Sequence, residues 1–330
     1  MRKLSIFLML FGIGMGFLWV PNAHSLVKRV GTAGFAFLEI PATARQAALG
    51  DAYIAMGAVT TADGMFMNPA MLGYVTERSA SISYGTWLAD MNHQAAAFAI
   101  GLGSFGSVGL NMVRLDAGEF KGSVIDVTAT QGWRPTGTFN AGSWAIGPMY
   151  GLRMTDRFSF GGGVRFVRES VSNVKEVAGG SDFSASNWLA EIGTMYYTGF
   201  GSLRFATAIQ GIGFDTKFEA DPFQSPVVYR LGAAYDFFDL PESPVKLTVL
   251  FEAIHPSDSQ EKVNLGGELW IKNIIALRGG YKFNYDEESF TGGIGLQFDM
   301  GGGKPVGVDF AYVDYGRLNS VTRFTLNIGF

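Results

Sequence analysis

From Arg78 to Phe330 the chain alternates apolar and polar positions with a period of two, the repeat of a β-strand whose side chains point to opposite faces. Between Arg157 and Arg168, Phe158, Phe160, Gly162, Val164 and Phe166 share one face, and Arg157, Ser159, Gly161, Gly163 and Arg165 share the other. The dyad returns with Phe205 and Ile209 against Arg204 and Gln210, Tyr229 and Leu231 against Arg230, and Val249 and Phe251 against Glu252. Leu265 and Leu269 oppose Asn264 and Glu268, and Leu277 and Tyr281 oppose Arg278 and Lys282. Strands with charge on one face and aromatics on the other suit a membrane-spanning antiparallel β-barrel, with lipid outside and a wet lumen inside.

Fourteen segments carry the pattern: 78–87, 93–103, 105–115, 143–155, 157–168, 186–198, 201–212, 227–237, 244–254, 262–271, 275–284, 289–299, 306–315 and 321–330. Connectors after the second, fourth, sixth and tenth are very short, whereas Asp116 to Gly142, Glu169 to Ala185 and Gly213 to Pro226 are long. Outer-membrane barrels have short periplasmic turns and long outer loops, so this rhythm puts both ends of the barrel in the periplasm. Ser123 to Gln131 also alternates; it is assigned to the first long loop, because a fifteenth strand would make the count odd. The last segment places Phe324, Leu326, Ile328 and Phe330 on one face and stops on an aromatic. That ending resembles the signal read by the outer-membrane barrel-assembly machinery.

The stretch Gly31 to Val75 has neither this period nor this composition. Its middle is rich in Ala with Leu49, Ile54 and Met56, interrupted by Gly50 and Gly57, which predicts short helical turns. Pro69 pushes Asn68 out of the α region and makes a sharp turn. With too many apolar residues to lie free and too few in a row to span a bilayer, the segment is expected to plug the lumen. Asp51, Asp63 and carbonyls freed at Gly50 and Gly57 are the expected partners of the lumen groups Arg165, Arg204, Arg230 and Arg278. The expected organisation is a leader at 1–25, a plug at 26–75 and an all-β barrel of about 14 strands at 76–330.

Within the plug, Ala44-Arg45, then Leu49-Gly50-Asp51-Ala52-Tyr53, then Asn68-Pro69-Ala70 resemble the N-terminal signature of the PorV/PorQ family of outer-membrane proteins. That family is related to the FadL-type long-chain fatty-acid transporters, and its best-known members serve the type IX protein secretion system. The resemblance implies a 14-stranded barrel around the signature, and makes Arg45, Gly50, Asp51, Asn68, Pro69 and Ala70 the plug motif.

Arg2 and Lys3, the apolar run Leu4 to Val20 and the small-x-small Ala23-His24-Ser25 read as a cleaved signal peptide and an outer-membrane destination. With no Cys in the chain, lipid attachment and disulfides are excluded. Hydrophobic residues make up 48% of the chain, yet no run after residue 25 would make a spanning helix, so they must be spread by alternation. Without Arg2 and Lys3 the chain has 23 basic and 29 acidic residues, net −6, and no basic stripe, which argues against nucleic acid as a partner.

Sites for chemistry are few. His93 and His255 are far apart, and Ser257 and Asp258 are too close along one loop to form a triad with His255. The runs Gly161 to Gly163 and Gly301 to Gly303 lack the Gly-Lys-Ser/Thr of a phosphate loop. No acidic spacing resembles a calcium loop, so no enzyme, cofactor or metal is expected. Two functions remain. By its resemblance the chain is a PorV/PorQ-type component that binds secretion-system or cargo proteins. Alternatively, by FadL kinship, it passes long-chain fatty acids or other small hydrophobic molecules, with Phe35, Phe37, Leu38, Met65, Phe66 and Met67 as the expected hydrophobic pocket.

Overall fold

The computed structural model describes residues 31–57, 61–172, 183–218, 221–238, 243–301 and 304–330; the leader expected at 1–25 lies outside them. Fourteen antiparallel strands close one barrel. The first seven are β1 (Arg78–Thr86), β2 (Asn92–Gly101), β3 (Ser107–Ile125), β4 (Trp133–Arg153), β5 (Phe158–Ser172), β6 (Phe183–Tyr197) and β7 (Arg204–Ile212). The others are β8 (Val228–Phe237), β9 (Val245–Pro256), β10 (Lys262–Ile271), β11 (Ile275–Phe283), β12 (Phe290–Asp299), β13 (Pro305–Asp314) and β14 (Ser320–Gly329). Every strand pairs with its chain neighbours, and β14 returns to β1 with Ser79 opposite Gly329 and Thr86 opposite Thr322. Phe330 continues the seam, its N–H donating to the Arg78 carbonyl at 2.9 Å. Closure leaves no free edge, which a backbone in hydrocarbon requires.

Alternation sorts the faces as the sequence predicts. On β5, Phe160 and Val164 are exposed while Ser159, Gly161, Arg165 and Val167 are buried. On β14, Phe324 and Leu326 point outward, and Arg323, Thr325 and Asn327 inward. Exposed apolar residues such as Ile82, Leu110, Leu231, Leu277 and Tyr312 coat the outside.

Two of the long loops are shorter than expected. β3 and β4 run on past the wall and pair with each other out to Ile125 opposite Trp133, so most of Asp116 to Gly142 is hairpin. Ser123 to Gln131 is therefore no separate strand: its first three residues end β3 and the rest lie in the turn. β2 stops opposite Asp116 and β5 opposite Asn140, so the β3–β4 hairpin projects beyond its neighbours, with β3 running from 117 to 125, about 30 Å at ~3.3 Å per residue. Likewise β5 extends to Ser172 and β6 begins at Phe183, inside the stretch expected as the second loop. The third long loop carries a small hairpin, Thr216–Lys217 against Pro222–Phe223.

A cysteine at Val127, 91% exposed in the hairpin turn, is expected to react with an impermeant maleimide on whole cells. One at Asp156, in the short β4–β5 turn, should stay unlabelled until the outer membrane is broken. Equal labelling on intact cells would reverse or reject the orientation.

Candidate functional site

The plug is built from the short turns that its glycines and Pro69 dictate. They are 3-10 turns at Ala36–Glu39, Ala62–Phe66 and Pro69–Tyr74, and the one-turn helix α1 at Ala44–Ala48. Thr43 caps α1 by accepting the Gln46 N–H, and Asn68 caps the last turn by accepting the Ala70 N–H at 3.0 Å. Gly50 and Asp51 both adopt left-handed backbone, φ 64° and 61°, which ends α1 and aims Asp51 at the wall. Wall glycines admit the plug at backbone distance. A Cβ on Gly161 would lie 2.3 Å from the Pro69 carbonyl carbon, and one on Gly280 would lie 2.3 Å from the Gly50 nitrogen. The Gly161 to Gly163 run thus has a packing role.

On one side the plug is held by charge. Arg45 donates from Nε and Nη2 to Glu268 of β10 at 2.8 and 2.7 Å, and Arg278 of β11 bridges Glu268 and Asp309, each at 2.6 Å. Asp51 pairs with Lys282 of β11, which also holds Glu288. Glu252 of β9 accepts the N–H groups of Tyr53 and Ile54 and pairs with Arg230 of β8. Arg204 of β7 donates to the Ala55 and Met56 carbonyls, both at 2.7 Å, and pairs with Asp236. Arg323 of β14 reaches the Ala42 carbonyl and His93 Nδ1. Buried charges in such a place need partners with good geometry, and here plug and wall supply them jointly.

The other side is mainly apolar, with His93, Asn111 and Ser159 as buried polar positions on the same strands. Strands β2 to β6 present Ala95, Ala97 and Ala99, Val113, Ala145 and Met149, Val167, and Ala185 and Leu189 to the lumen. Against them pack Phe35, Phe37, Met65, Phe66, Leu72 and Val75 of the plug, with Leu38, Phe218 and Phe223 partly buried at the long-loop end. Phe35 meets Phe223 edge to face at 5.4 Å, and the Gly34 N–H donates to the Gln224 carbonyl at 3.1 Å. At the opposite end Ser107 Oγ donates to the Val75 carbonyl. The column therefore runs from the long-loop end of the barrel to the short-turn end, crossed among the described residues by one charge pair, Arg165 with Glu191, at 2.7 Å.

The six motif residues do not converge. Arg45, Gly50 and Asp51 fasten the plug to β10 and β11. Pro69 and Ala70 sit against Gly161 of β5 and Asn68 against Gly193 of β6, and Asn68 Nδ2 donates to the Ile54 carbonyl and to that of Thr194 on β6. Of the six apolar residues, Phe35, Phe37, Leu38, Met65 and Phe66 join the column, while Met67 packs with Leu49, Ile54 and Met71 on the other side. Asp51 and Asp63 are not the partners of the four lumen arginines. Asp51 takes Lys282, and Asp63 accepts from Tyr53 and Thr61. Carbonyls beside Gly57 do serve Arg204, but carboxylates on neighbouring strands carry most of the pairing. Those glutamates and aspartates lie on the same alternating face as the arginines, one or two strands away, and that was the signal that could have found them.

His93 is buried against Arg323, and His255 faces Glu261 at 3.4 Å on the rim. On the outer turns, burial lifts the Tyr285 hydroxyl to about 12, and hydrogen bonds from Arg317 hold Glu287 below the usual carboxylate range.

No protein-family model matches the chain, and no curated protein matches it. Solved structures do. The Ralstonia pickettii toluene transporter TbuX is 13% identical, with 87% of this chain and 96% of that one covered at a TM-score of 0.57. The Pseudomonas putida toluene transporter TodX is 12% identical over the same shares, with a TM-score of 0.55. A Pseudomonas aeruginosa FadL homologue is 9% identical over 87% and 97%, with a TM-score of 0.54. At these identities the likeness is one of fold, and the fold is that of FadL-like outer-membrane barrels.

Proposed function

We propose that the chain is a non-enzymatic outer-membrane barrel that passes small hydrophobic molecules inward along the seam between the plug and the apolar half of the lumen. The observation that supports this reading is the end-to-end apolar column on β2 to β6. A hydrophobe entering it gains about 25 cal/mol for each Å² of apolar surface removed from water. It displaces Phe and Met side chains, which adapt readily, and breaks few of the ion pairs that hold the plug on its other side. The shared fold with proteins named as toluene transporters fits the same reading.

Phe218→Asp tests it, because Phe218 sits at the outer end of the column on a loop outside the barrel wall. Cells bearing the intact chain should take up labelled toluene or oleate faster than cells lacking it, and the Asp variant should lose most of that gain. Protein-independent uptake, or equal uptake by the two forms, would count against hydrophobe passage.

A partner-binding role of the PorV/PorQ kind is the second reading, and the projecting β3–β4 hairpin favours it. Phe120 and Phe139 stack along its length, while Ile125 and Val127 are 87% and 91% exposed. Removing residues 119–140 should abolish co-purification of secretion or cargo proteins and leave hydrophobe uptake intact if both readings apply.

A further inference from the structure

We propose that the outer mouth also holds a binding site for a small zwitterion, a molecule with one ammonium and one carboxylate on a short apolar body. A cavity of about 160 Å³ opens there between the plug and strands β8 to β11. Its volume is close to the ~150 Å³ that takes up a benzene-sized molecule. Most of the charges around it are committed. Lys282 is shared by Asp51 and Glu288, and Arg230 by Glu252 and Gln210.

Three groups on the lining keep unmatched charge or hydrogen-bonding capacity. Asp51 is 6% exposed, and its Oδ1 has no hydrogen-bond partner although Oδ2 holds Lys282. Its left-handed backbone, following that of Gly50, fixes it there. The Glu39 carboxylate has no cation within salt-bridge distance among the described residues. Nor does Lys262 have a carboxylate partner among them; its ammonium lies over the Tyr285 ring, 4.8 Å from the centroid. Two acceptors and one cation thus face the same space, with Ile40 and Ile254 as apolar lining. A neutral hydrophobe would leave all three desolvated, and a simple anion would satisfy Lys262 but repel both carboxylates. One ammonium placed on Glu39 and drawn by the nearby Asp51 charge, with one carboxylate on Lys262, satisfies the set. The site does not depend on hydrophobe passage, since it lies on the charged side of the plug.

The test uses the full chain in detergent and the fluorescence of Trp87, which lines the cavity. L-Valine, isobutylamine and isovalerate are the probes, the last two being valine without its carboxylate and without its ammonium. Valine should give a saturable change that is absent in Trp87→Phe, and each half-molecule should bind at least about tenfold more weakly, the loss of one charged hydrogen bond. Lys262→Gln and Glu39→Gln should each weaken valine by a similar factor. Neither touches a plug fastener, and retained heat-modifiable migration on gels checks that both barrels remain folded. Isovalerate or isobutylamine binding as tightly as valine, unchanged valine affinity in both variants, or no saturable signal would each overturn the proposal.

Discussion

A chain lacking residues 31–73 but keeping residues 1–30 is expected to insert and then conduct ions in a planar bilayer, where the intact protein is nearly silent. The basis is volume: fourteen strands enclose more space than their own side chains fill, and the plug occupies it. Its residues from Ala42 to Ala48 are buried apart from Arg45, as are those from Ala62 to Leu72. Without the plug, Glu268, Arg204, Glu252 and Asp51's partner Lys282 would line a water-filled pore instead of a packed interface. The charges would be hydrated, so the wall should survive. Equal conductance of the two forms would show that the segment does not close the barrel.

Glu268→Ala should be the most damaging single substitution on the charged side. Its carboxylate, 1% exposed, accepts from Arg45, Arg278 and Trp270 Nε1. Removing it leaves Arg278 with Asp309 alone and leaves Arg45 with no carboxylate, only the Tyr53 ring face 5.9 Å away. Breaking a buried pair in this way costs about 3–5 kcal/mol, because the abandoned charge stays desolvated. A matched removal of Glu287, paired with the exposed Arg317, should change little. Urea unfolding in lipid vesicles measures the contrast. Similar losses for both would mean that the plug is not fastened through this cluster.

The barrel was legible because its wall obeys one rule along its whole length: every second side chain meets lipid. Phe160, Val164 and Phe324 on one face with Arg165 and Arg323 on the other show strand type and facing, and the recurrence of that pattern in fourteen segments gives the count. The hairpin from Asp116 to Gly142 was not legible, since its alternation is real but arises from β3 and β4 pairing with each other beyond the wall. Periodicity reports a strand and not how far it outruns its neighbours.

The site was less legible than the wall. Arginines on the lumen face announced a need for partners, but which carboxylate answers each depends on register between strands: Glu268 stands opposite Arg278, and Glu191 opposite Gly163, two residues before Arg165, pairings that no single strand contains. The apolar half of the lumen was hidden for a different reason. Ala95, Ala97, Ala99, Ala145 and Ala185 are small enough to pass as unremarkable inward positions, and they acquire meaning only when β2 to β6 are set side by side against Phe37 and Phe66.

The most direct measurement of the central claim is photolabelling of the intact protein in outer-membrane vesicles with a phenyl-diazirine hydrophobe, with labelled residues mapped by mass spectrometry. Lipid-facing residues such as Leu231 and Leu277 will react in any case, so the informative labels are those that excess unlabelled toluene suppresses. Suppressible labels are expected on Phe35, Phe37, Met65 and Phe66 and on lumen positions of β2 to β6, with none around Arg45, Glu268 and Arg278. Suppressible labelling confined to the charged side, or none anywhere in the lumen, would contradict that claim.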